Sequence, residues 1–216
     1  MTGSCFRCGG TMRSLVAILS GLSLLGGLAT PSVAQVTLPT RDECLAASGA
    51  VRLLDPGGFE SAVRTLSGCV EDGPRVLGAL WLSPPADSGS RAALVRSTAT
   101  LRDRRLFESI KTVVNSRTVS PELRVHAIDV LVRYFEPALS VVRWRGKLTT
   151  GHIDHAPETV EGQQPLDSSG VRLEVLRVLR ESEGVIADSV VQMEVRQIRH
   201  ELEAYLEALR TYRKPV

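Results

Sequence analysis

Cys44 and Cys69 lie eleven residues on either side of the tetrapeptide Asp55-Pro56-Gly57-Gly58. The proline presets φ and the glycines supply angles other residues avoid, so the tetrapeptide reads as a turn. Residues 41–54 place Cys44, Leu45, Ala47, Val51 and Leu54 at helical spacing, and residues 59–70 do the same with Phe59, Ala62, Val63, Leu66 and Cys69. An antiparallel pair of helices brings the two cysteines side by side. A disulfide closing a loop of this length would stabilise the fold by about 3 kcal/mol in the chain-entropy picture. The alternative is a reactive thiol pair, but no basic residue or Cys-X-X-Cys spacing accompanies either sulfur to depress its pKa. The chain is thus expected to begin its fold with a stapled helical hairpin.

A disulfide needs an oxidising compartment, and residues 1–34 read as an export signal. Arg7 and Arg13 form a positive head, residues 15–28 (LVAILSGLSLLGGL) an apolar stretch, and Pro31-Ser32-Val33-Ala34 a small-residue cut site before Gln35. The apolar stretch is too short and too glycine-broken for a spanning helix. Cys5 and Cys8 precede it and would leave with it. The expectation is a soluble mature chain, residues 35–216, with no membrane span after cleavage and no lipid tether.

Charge and composition narrow the function classes. The chain carries 26 Lys and Arg against 24 Asp and Glu; without Arg7 and Arg13 the two signs balance at 24 each. A nucleic-acid partner, which would call for a clustered basic surplus, is not expected. Aromatic residues make up only 4%, too few for a stacking platform or an aromatic-lined ligand pocket. Arg outnumbers Lys 23 to 3, the usage of a GC-rich bacterial genome, which together with the signal points to a bacterial periplasm or exterior.

Helical signals recur along the body. Residues 75–83 carry Val76, Leu77, Leu80 and Trp81 before Pro84-Pro85 stops them, and Ser90 is a candidate N-cap for residues 91–100. Asp103 caps a helix over 104–115 with Leu106, Phe107, Ile110, Val113 and Val114 on one face. Ser120-Pro121-Glu122 opens another, with Leu123, Ala127, Val130, Leu131 and Tyr134 following until Pro137.

The run Asp103-Arg104-Arg105-Leu106-Phe107, followed by Leu123-Arg124, Ala127 and Leu131, resembles a HEAT-type helical repeat. In that family the first helix opens with Asp, and the second carries a hydrophobic-Arg-x-x-Ala-x-x-x-Leu pattern. The small residue allows close helix approach, and the Arg is suited to bridging a neighbouring unit. Arg75, Gly78 and Leu82 repeat the spacing 49 residues earlier, near the upper end of the family's period. A later copy over 171–179 and 188–209 replaces the Arg with Val191 and the small residue with Glu194, as a terminal cap would. The resemblance implies an all-α fold: a short α-solenoid of antiparallel helix pairs, one domain over 35–216, with an irregular insert at 138–167.

Within that insert Val141-Val142-Arg143-Trp144 and Lys147-Leu148 read as the arms of a small β-hairpin around Gly146, and residues 149–167 as a loop. Trp144 between Arg143 and Arg145 is the candidate binding site, since a Trp flanked by arginines is a common interface anchor. The competing reading is that Trp144 only packs the loop onto the helices. His152, Asp154 and His155 are candidate metal ligands, of the type that hold zinc or copper, against the reading of a solvated loop. His126 and His200 sit on helices away from them.

No nucleophile elbow, zinc-protease helix or phosphate-binding glycine loop occurs in the sequence. In the last helix Glu194, Glu201, Glu203, Glu207, Arg196, Arg199 and Arg210 read as a solvated face, with Val185, Val190, Met193, Ile198, Leu202, Tyr205 and Leu209 as its buried stripe. The resemblance therefore implies a non-catalytic interaction or scaffolding module with a protein partner and no cofactor. The alternative is a metal-binding protein or metal-dependent enzyme using His152, Asp154 and His155.

Overall fold

The computed structural model describes residues 38–53, 56–153, 160, 161 and 167–212. The expected export segment at 1–34 lies outside them. The described residues form eight helices and two small two-stranded sheets. The stapled hairpin comes first. Helix α1 (Arg41–Leu53) and α2 (Pro56–Ser67) pack together, and Cys44 is bonded to Cys69 with their Cα atoms 5.9 Å apart. The α1 start is a reciprocal cap: the Thr40 amide donates to Glu43 at 2.7 Å and the Glu43 amide to the Thr40 hydroxyl at 3.3 Å. The expected turn at Asp55-Pro56-Gly57-Gly58 is shorter than its sequence suggests, because Pro56, Gly57 and Gly58 already belong to α2. A proline in the first helical turn lacks only an N–H that would have no partner there.

Helix α3 (Gly73–Leu82) packs on α5 (Arg104–Asn115), and α4 (Ser88–Ala99) on α2 and on α6 (Pro121–Phe135). Helix α4 begins two residues before the expected cap: Asp87, not Ser90, is its N-cap and accepts the Ser90 amide at 2.7 Å. Asp103 and Ser120 cap α5 and α6 as expected, accepting the amides of Arg105 and Leu123. Asp103 is fully buried and also takes the Arg105 guanidinium, which reaches on to the Val70 and Glu71 carbonyls, fastening the α2–α3 connection to α5. Helix α5 also meets α6 and α7 (Ser168–Glu183), which pairs with α8 (Ser189–Tyr212).

The core runs through these contacts. Trp81, Tyr134, Phe59, Phe107 and Phe135 are its largest fully buried side chains. The Tyr134 hydroxyl donates to the Leu101 carbonyl at 2.6 Å, which satisfies its one polar atom in a dry site. Burial pushes that phenol's pKa far above its ordinary value. Gly78 shows why a small residue belongs at the α3–α5 contact: a Cβ built there would lie 2.5 Å from the Ser109 Oγ. Ala127, the matching position, is also buried. The two arginines behave differently. Arg124 is buried and donates to the Ser116 carbonyl within its own helix pair, whereas Arg75 is exposed and pairs with Asp72.

The insert is more regular than expected. Strands β2 (Leu139–Trp144) and β3 (Lys147–His152) form an antiparallel hairpin, so Thr149 to His152 belong to a strand and not to a loop. Further on, β4 (Val160–Glu161) pairs in parallel with β1 (Leu101–Arg102), just before α5. The hairpin sits between two helices, β2 packing on α6 and β3 on α8.

Candidate functional site

The hairpin turn places the aromatic. Arg145 and Gly146 have φ of 49° and 82°, the left-handed pair that a two-residue turn requires to match strand twist. An arginine adopts this angle only at a cost, and its guanidinium lies 5.6 Å from the centre of the Trp144 ring, a cation–π contact. Trp144 is 66% exposed, so it does not pack the hairpin onto the helices. Arg143, itself exposed, donates to the Gly146 carbonyl at 2.8 Å and to Glu194 of α8 at 3.3 Å. Of the three predicted binding residues, Trp144 and Arg145 thus face outward and Arg143 braces the tip.

Across from the tip, α8 presents Val190 and Met193, which are 57% and 60% exposed. They correct the sequence reading, which put both in the buried stripe. The buried stripe is Val191, Val195, Ile198 and Leu202. Their spacing of four, three and four residues leaves Val190 and Met193 off that line, a signal present in the sequence. Between the tip and α8 runs a groove of about 630 Å³ lined by Trp144, Arg145, Lys147 and Leu148 on one side and by Val190 and Met193 on the other.

The expectation of a solvated charged face on α8 also needs correction at three positions, one of them Arg199, whose side chain is largely buried between Glu183 and Glu203. The Glu194 side chain is only 13% exposed and bonds Arg143. Glu201 accepts the Thr149 hydroxyl at 2.8 Å, the Thr150 amide at 2.6 Å, the Thr150 hydroxyl at 2.8 Å and the Gln197 side-chain amide at 2.7 Å. Burial alone would raise the Glu201 pKa, but the hydrogen bonds outweigh it and hold the carboxyl below its ordinary range. Arg145 and Lys147 have no carboxylate in ion-pair range among the described residues.

His152 ends β3, is exposed, and has its ring 6.4 Å from that of Tyr205 on α8. Its two proposed co-ligands, Asp154 and His155, lie outside the described residues. Among the described residues no group of three or more His, Cys, Asp or Glu side chains is placed to hold a metal ion. His126 stands 3.9 Å from Glu122, on α6.

A slightly larger hollow, about 680 Å³, lies between α1 and α2, but its walls are mostly short side chains such as Ala46, Ala50 and Ser61. The hairpin groove joins an exposed aromatic, two exposed aliphatic side chains and unbalanced charge in one place, and it is the stronger candidate. No helix among the described residues is long and apolar enough to cross a membrane. Comparison with family models, with curated proteins and with solved structures returns no match.

Proposed function

We propose that this chain is an exported, non-catalytic helical-repeat protein that acts as an interaction or scaffolding module, with the hairpin tip at Arg143, Trp144 and Arg145 as its contact site. The exposure of Trp144 beside Val190 and Met193 carries this reading. An indole held out of the core costs hydrophobic stabilisation, and three large apolar side chains bordering one groove are what a binding surface presents.

Two further observations support parts of it. Helices contact their second neighbours in two rows, α2–α4–α6 and α3–α5–α7, as they do in a HEAT-like α-solenoid, and the hairpin occupies the place between α6 and α8. The Cys44–Cys69 bond fits an oxidising compartment such as a bacterial periplasm or exterior, where the export segment at 1–34 would deliver the chain. The step from repeat architecture to interaction is analogy, and the site supplies the chemistry.

The test is capture from a bacterial periplasmic extract by the immobilised chain and by a Trp144→Ala variant, with bound proteins identified by mass spectrometry. Partners retained by the first and lost by the second are expected. Equal capture by both would overturn the assignment of the tip.

A further inference from the structure

We infer that the groove between the hairpin and α8 is where a second copy of this chain binds, the two copies meeting face to face about a two-fold axis. The inference rests on the interaction reading above and names the partner of its contact site.

The two walls of the groove carry the argument. The hairpin wall presents Trp144, Arg145 and Lys147, all exposed. The helix wall presents the exposed Val190 and Met193 together with Glu194 and Glu201. Each wall therefore joins apolar surface to charge, and the charges differ in sign. Glu201 is held by Thr149, Thr150 and Gln197, which are neutral, so its negative charge stays in the groove. On the opposite wall Arg145 and Lys147 have no carboxylate in ion-pair range among the described residues.

These signs narrow the occupant. A uniformly acidic partner would be repelled by Glu201, and a uniformly basic one by Arg145 and Lys147. The occupant must carry both signs, each beside apolar surface, and the groove itself is such a surface. In an isologous contact one patch serves both copies, so that residue i meets j while j meets i. A two-fold axis along the groove sets the hairpin wall of one copy against the helix wall of the other. Trp144 then meets Val190 and Met193 of the second copy, an aromatic ring against a polarisable thioether and a branched aliphatic side chain. Arg145 and Lys147 come to the acidic wall of the second copy, and the same contacts recur across the axis. The patch is small beside a standard interface, so association belongs at micromolar and higher concentration.

The experiment is analytical ultracentrifugation of the full chain from low micromolar to near-millimolar concentration, with tryptophan emission recorded on the same samples. Dimers should replace monomers as concentration rises. Trp144 emission should shift to the blue over the constant background of Trp81, which is 1% exposed. Trp144→Lys and Met193→Glu should each weaken self-association about tenfold or more. Mixed together, the two variants should form a mixed dimer. There the Met193 left in the first meets the Trp144 left in the second, and the two introduced charges attract. Lys147→Glu should weaken the native dimer about threefold. Far-UV circular dichroism confirms that each variant is folded.

A chain that stays monomeric throughout, or one whose association ignores Trp144→Lys, would overturn the inference. Variants that remain apart when mixed, while the native chain dimerises, would overturn the exchange of walls. A monomeric chain whose Trp144 emission shifts on anionic lipid vesicles would replace the second copy by a membrane surface. If the chain is monomeric but periplasmic capture still depends on Trp144, this inference fails and the interaction module stands. If capture also ignores Trp144, both fail.

Discussion

Val141 and Thr150 stand opposite each other in the hairpin, and each gives its outward amide to a carboxylate on a different helix. Val141 donates to Asp129 of α6 at 2.7 Å, and Thr150 to Glu201 of α8 at 2.6 Å. Both edges of a two-stranded sheet are thereby occupied at the same level. An isolated hairpin is marginal in water, and these two contacts hold this one between its helices.

Asp129 also accepts the Ser140 hydroxyl at 2.7 Å and pairs with Arg133, so its loss strands several polar groups that have little access to water. Asp129→Ala should therefore destabilise the protein by about 1–3 kcal/mol, measured as a fall in urea midpoint. In the same variant the Val141 amide should exchange with deuterium faster, while amides of α2 stay protected.

Acid should loosen the hairpin through Glu201. Its folded pKa lies below the ordinary carboxylate value, as do those of Glu174 and Glu183. A group of this kind contributes stability that is fully present above its unfolded pKa and is lost as pH falls through the folded one. Urea midpoints should be flat from pH 7 to about 5 and drop below about 4.5. Glu201→Gln should lower the midpoint at pH 7 and make the acid drop shallower. An unchanged acid slope in that variant would show that Glu201 does not contribute.

Local signals made most helices legible. Asp103 and Ser120 cap where their side chains allow, Pro84-Pro85 stops α3, and the apolar spacing of Leu106, Phe107 and Ile110 marks a buried face. The start of the return strand at Lys147-Leu148 was legible but its continuation was not, because Thr149 to His152 lacks alternation and its anchor, Glu201, lies 51 residues from Thr150. A still longer separation hid the pairing of Leu101–Arg102 with Val160–Glu161. At the candidate site the exposed Trp144 could be picked out from its arginine neighbours, but Val190 and Met193 were absorbed into an over-wide apolar stripe. Only the tertiary arrangement shows that β3 faces their side of α8.

Reduction of Cys44–Cys69 should cost about 3 kcal/mol, since the bond closes a loop of 25 residues. A Cys44→Ser, Cys69→Ser double variant should show the same loss of thermal stability without reductant. Because α2 also packs on α3 and α4, the rest of the fold should survive at room temperature.

Gly78 offers a test of close helix approach. Gly78→Ala places a methyl 2.5 Å from the Ser109 Oγ, and overpacking of this kind costs about 1–3 kcal/mol. Ser109→Ala removes that oxygen and leaves the Ser109 Cβ at 3.2 Å, so the double variant should recover most of the loss. A double-mutant cycle with no coupling between the two positions would show that α3 and α5 separate instead.

Trp144 separates binding from folding. The residue is two-thirds exposed, and its ring meets the Arg145 guanidinium, so Trp144→Ala should shift stability by less than about 0.5 kcal/mol. Emission should change far more. The native chain carries one buried and one exposed indole, so acrylamide should quench it in two phases, and the variant should keep only the protected, blue-shifted phase of Trp81. A large stability loss would place Trp144 among the packing residues and remove the basis for reading the tip as a contact site. An unchanged urea midpoint with lost capture would tie the exposed indole to recognition, since an indole that contributes nothing to the fold has no other structural reason to stand in water.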